Sequence, residues 1–140
     1  MSDFSEFFAQ NKVPTEVHEI VASKSFINKE TGEPLKWKIR KVDEHVHKRI
    51  KKDSKTKTEK KGVVRYTTDN DLYNSKLLVA SIVYPDLNNK GLQENYGVMC
   101  AEDLLDRMLS AGEYTMLTAK VLEINDFDID INAQVEEAKN

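Results

Sequence analysis

The sequence predicts an α+β domain, mainly helical, with an N-terminal β-hairpin packed on a small helical bundle. Three observations carry this. Two alternating apolar stretches near the N-terminus flank a turn cluster. Several later segments place apolar residues at helical spacing, most behind a capping residue. With 140 residues and 39% apolar content, the chain can close one core.

In chain order, Ser2 or Asp3 caps a first helix over about 4–11, with Phe4, Phe7 and Phe8 on one face. Glu16 to Lys24 alternates as a strand, and 28–34 is a turn cluster. Leu35, Trp37 and Ile39 alternate with Lys36, Lys38 and Arg40, a half-buried strand with a basic outer face. These two strands pair most simply as an antiparallel hairpin. Asp43 caps a helix to about Lys52. The stretch 51–62 has no apolar residue, so a mobile loop is expected over about 51–65. Thr67-Thr68-Asp69 offers caps for a core helix over about 70–84, with Tyr73, Leu77, Ala80 and Tyr84 in one stripe, stopped by Pro85. Asn88 caps a short helix to Tyr96, which Gly97 ends. Another helix opens at Cys100, with Leu104, Leu105, Met108 and Leu109 inward. Ser110 and Glu113 form a capping box for a last helix to about Ile124. One domain is expected over 1–127, followed by an acidic flexible tail over 128–140.

The net charge of −3 hides a polar arrangement. Residues 36–65 carry 13 basic and 4 acidic groups, whereas residues 101–140 carry 3 and 10. The basic block offers Lys48, Arg49, Lys51, Lys52, Lys55, Lys57, Lys60 and Lys61 for electrostatic docking, either to an acidic partner or to a second copy. A small nucleic-acid-binding module using 48–61 is the alternative. Only Trp37 and Tyr66 flank the block, and Lys outnumbers Arg 17 to 4, which suits neither base stacking nor bidentate readout.

Catalytic and metal chemistry find no foothold. His45 and His47 lie two apart, the wrong spacing for a metal pair on a helix. Cys100 is single, so there is no internal disulfide, and it reads as a small residue at a helix boundary. Asp126 begins a run resembling a calcium loop, but the sixth position is Ile131 where glycine is required. No Gly-rich phosphate loop or nucleophile motif occurs. No enzyme, cofactor or metal is expected. No apolar run approaches the roughly 18 residues of a membrane span, and the start lacks a basic leader, which points to the cytosol.

The order of several short stretches resembles the phage tail assembly chaperones of the XkdN-like type. They are Phe4 to Val13, Val17 to Lys24, Leu35 to Arg40, Tyr73 to Leu87, Leu92 to Met99 with Glu102 to Leu105, Gly112-Glu113-Tyr114 and Glu123-Ile124-Asn125. The pattern prefers proline where this chain has Ala111. The resemblance implies a non-catalytic protein of the bacterial host cytoplasm, not expected in the mature virion. It implies that the protein binds the tape measure protein and helps recruit tail tube subunits. Phe4, Phe7, Phe8, Tyr84, Tyr96, Met99, Met108 and Met116 are the candidate partner-binding residues, because aromatic and methionine side chains suit adaptable apolar docking.

Overall fold

The computed structural model describes residues 4–127. Within it, β2 (Trp37–Ile39) is the centre of a three-stranded antiparallel sheet, between β1 (His18–Ile20) and β5 (Ile82–Tyr84). Alternation sends Trp37 and Ile39 into the core and leaves Lys38 outside. The pairing of β1 with β2, Ile20 opposite Trp37, is the hairpin expected from the sequence, with its basic outer face. Strand β1 is shorter than the alternation over Glu16 to Lys24 suggests, because only three residues find ladder partners.

The helices are α1 (Glu44–Asp53), α2 (Asn70–Ser81), α3 (Lys90–Asn95), α4 (Ala101–Met108) and α5 (Ala111–Ile124). Asp43, Asp69, Asn89 and Ser110 each accept a hydrogen bond from the backbone N–H three residues on, which starts α1, α2, α3 and α5. The cap of α3 is Asn89, not Asn88, whose own amide donates to Asp86 Oδ1 at 3.0 Å. Leu77 and Leu78 of α2, Leu104 and Leu105 of α4, and Leu117 and Val121 of α5 close on Trp37 and Ile39. Helix α2 packs against α1, α4 and α5 and forms the middle of the bundle.

Three further expectations are corrected. Residues 4–11 form two 3-10 turns, Phe4–Phe7 and Ala9–Asn11, not one helix. An isolated segment this short cannot sustain α-helix without packing, and none of its three phenylalanines enters the core. Second, α2 stops at Ser81, and Ile82-Val83-Tyr84 joins the sheet. Branched and aromatic residues favour the strand, and the residue before Pro85 is steered away from helix. The helical stripe therefore breaks, leaving Ala80 and Tyr84 exposed. Third, where a loop is expected over 51–65, α1 runs on to Asp53 and a second sheet follows: β3 (Lys55–Lys60) paired with β4 (Val63–Thr68). Lys61 and Gly62 make the two-residue turn, both at positive φ (53° and 79°), the backbone a tight hairpin requires.

Buried Asn125 ties the ends of three elements together. Its Oδ1 accepts from the Val42 amide at 2.8 Å, and its Nδ2 donates to Ser81 Oγ at 3.2 Å and to the Val121 carbonyl at 2.9 Å. The Ser81 carbonyl in turn accepts from the Arg40 amide at 2.9 Å. The expected tail 128–140 and the Ser2 or Asp3 cap lie outside the described residues.

Candidate functional site

Two surfaces stand out, one apolar and one basic. The apolar one is a groove between β1 and α5, with a volume of about 310 Å³. Ile20, Val21 and Ala22 form one wall; Met116, Leu117, Ala119, Lys120 and Glu123 form the other. The wall on α5 follows from helical spacing: Met116, Ala119, Lys120 and Glu123 share a face beside the buried stripe of Leu117, Val121 and Ile124. The opposite wall exists because β1 is an edge of the sheet, and among the described residues no strand pairs its outer side. Met116 is 74% exposed and Val21 45%. Glu113 completes the capping box that starts α5. Its carboxylate accepts from the Ser110 amide at 2.9 Å, and this contact first, then the nearby Ser23 hydroxyl, hold its pKa below the usual carboxylate range.

The basic surface is the β3–β4 hairpin with the adjoining face of α1. All six residues of each strand are exposed. The arm is rooted in the body by buried Ser54, whose Oγ donates to the Ile50 carbonyl at 2.6 Å and whose carbonyl accepts from the Asp69 amide at 2.7 Å. Strand alternation puts Lys55, Lys57, Val64 and Tyr66 on one face, and Lys60, Val63 and Arg65 on the other. Lys48, Arg49 and Lys52 line a shallow hollow on α1, and Lys51 lies in its last turn.

Of the eight residues expected to bind a partner, the structure brings only Met116 into the groove. Phe4, Phe7 and Phe8 are exposed together on the N-terminal turns, Met99 is exposed elsewhere, and Tyr84 lies on the far edge of the sheet with Lys38 Nζ 6.0 Å from its ring centre. Tyr96 and Met108 are half-buried against the core. Sequence reasoning missed Ile20, Val21, Ala22 and Ala119. The alternation of 17–22 was the available signal, but it did not say which face would be left uncovered. Val63 and Val64 on the arm were missed too, although a run of β-branched residues after Lys-Gly announces a hairpin.

The titratable groups show little that chemistry would use. His47 Nε2 and Tyr73 OH are 2.5 Å apart; burial, then Lys51, push the imidazole pKa down. Cys100 feels the Asp103 amide, which lowers its thiol pKa, but burial and the carboxylates of Asp103 and Glu102 push it up overall. A raised thiol pKa disfavours the reactive thiolate. Among the described residues no cluster of three His, Cys, Asp or Glu side chains is placed to hold a metal, and no helix is long and apolar enough to cross a membrane.

The exposed features of this mixed fold are thus an apolar groove and a basic arm. The sequence profile of the Phage XkdN-like tail assembly chaperone proteins matches residues 4–139, and the chain belongs to this family. It is 29% identical over 140 residues to the phage-like element PBSX protein XkdN of Bacillus subtilis (strain 168), covering 99% of this chain and 94% of that protein. It is 30% identical over 140 residues to the uncharacterized protein YqbN of the same strain, covering 99% and 93%. The crystal structure of YqbN superposes with a TM-score of 0.75 at 25% identity, over 90% of this chain and 98% of that one.

Proposed function

We propose that this tail assembly chaperone binds an apolar helical stripe of the tape measure protein in the groove between β1 and α5. It keeps that protein soluble in the host cytoplasm, and the complex helps recruit tail tube subunits. The work is binding, without catalysis. The observation that carries this reading is the groove: apolar walls, one of them at an edge strand of the sheet, and the exposed Met116. An amphipathic helix lays a ridge of side chains into such a groove, and methionine adapts to varied ridges. The groove's charged rim, Lys120 and Glu123, suits reversible contact. Phe4, Phe7, Phe8 and Met99 are available to extend the contact. The nucleic-acid reading has less support, since Tyr66 is the one aromatic residue on the basic arm.

Affinity for a purified tape measure segment tests this. Val21→Lys together with Met116→Lys is expected to weaken binding at least about tenfold, roughly 1.4 kcal/mol. Unchanged affinity would remove the groove from the account.

A further inference from the structure

We propose that the acidic segment 128–140 of this same chain is the ligand of the basic β3–β4 arm, covering it in cis. The inference is independent of the groove.

The arm has unmet needs. Residues 55–68 carry five cations and one acid, Glu59, and among the described residues none of those cations has an ion-pair partner. Val63, Val64 and Tyr66 are exposed between them. A two-stranded hairpin standing alone is marginally stable in water, so it gains from a complementary cover. Segment 128–140 has the matching chemistry: Asp128, Asp130, Glu136 and Glu137 against one lysine, interleaved with Ile129, Ile131 and Val135.

The segment also departs from the right place. Asp126 pairs with Lys41 at 3.1 Å, and the Phe127 ring lies 5.1 Å from that of His47 on α1. Helix α1 leads through Ser54 directly into β3. From His47 to the end of α1 is about 9 Å of helix rise, and the arm adds about 20 Å. Thirteen extended residues span up to about 43 Å, enough to reach the Lys60 end. A tether this short gives a millimolar effective concentration, which favours the chain's own segment over a second copy at micromolar protein.

The test is hydrogen–deuterium exchange over 55–68 in the full-length chain. Wild type is compared with a variant carrying Asp128→Asn, Asp130→Asn, Glu136→Gln and Glu137→Gln. At about 20 mM salt the variant's arm is expected to exchange several-fold faster; at about 500 mM the difference should vanish, because screening removes the attraction. Both results should be independent of protein concentration, and Trp37 fluorescence should report the same global unfolding midpoint. Equal exchange in the two proteins at low salt overturns the proposal. Protection that grows with protein concentration overturns it in favour of a second copy. Protection that appears only on adding a DNA duplex overturns it in favour of nucleic acid.

Discussion

Replacing Asn125 by alanine removes a clamp that no other residue can supply. Asn125 is 8% exposed; two of its side-chain hydrogen bonds join the end of α5 to the Val42 amide before α1 and to Ser81 at the end of α2, and a third returns to the Val121 carbonyl of α5. Deletion strands the Val42 amide in a half-buried place and takes a partner from the fully buried Ser81 hydroxyl. An unsatisfied buried group costs about 1–3 kcal/mol and an ordinary hydrogen bond about 1 kcal/mol. The total comes to about 3 kcal/mol, or a melting temperature lower by about 10 °C for a domain of this size. Urea unfolding followed by the fluorescence of buried Trp37 measures it. The neighbouring Lys41→Ala, which breaks only the exposed pair with Asp126, is the control and is expected to change stability by less than about 0.5 kcal/mol. An Asn125→Ala loss no larger than that control would refute the clamp.

Other expectations follow from the same geometry. Gly62→Val puts a branched side chain at φ 79° with open space around it, so its cost is backbone strain of about 1–2 kcal/mol confined to the arm; exchange over 55–68 should quicken while the Trp37 midpoint stays put. His47 has a folded-state pKa below the unfolded value of about 6.5, so its contribution to stability is full above that pH and lost as pH falls through the folded value. Urea midpoints between about pH 7.5 and 5 should fall less steeply in His47→Gln. Glu113 has a depressed pKa, so its stabilisation is present above about pH 4.3 and lost on acidification through the lower folded-state value; Glu113→Gln should shrink the acid-induced loss. An unchanged acid slope in either variant would contradict the assigned contacts.

How much of this was legible beforehand depended on whether local chemistry decided the structure. Caps at Asp43, Asp69 and Ser110 and the turn of 28–34 were readable because a side chain two or three residues away satisfies the backbone there. Trp37 and Ile39 were readable because one strand face meets the core. The arm was misread because its strands bury nothing: hydropathy carried no signal, and only Lys61-Gly62 and the β-branched run after it spoke for pairing. The switch from helix to strand at Ile82 was hidden because Val79 to Tyr84 is apolar at every position but Ser81, so neither periodicity stands out, and β2, distant in sequence, supplies the partner. The groove needed tertiary knowledge. Met116 was nameable from residue type, but which face of β1 stays open depends on β1 ending up at the sheet's edge. Some stretches that carry the family resemblance proved structural: Glu113 caps α5, Asn125 is the clamp, and Gln93 holds the Leu87 carbonyl at 2.9 Å.

The most direct test of the central claim is the soluble yield of the tape measure protein when it is co-expressed with this chain. Wild type should keep it soluble and copurify with it. The chain carrying Val21→Lys and Met116→Lys should fold with an unchanged Trp37 midpoint yet leave the tape measure protein insoluble. Equal solubility with wild type and variant, or no gain in solubility from wild type, would contradict the account.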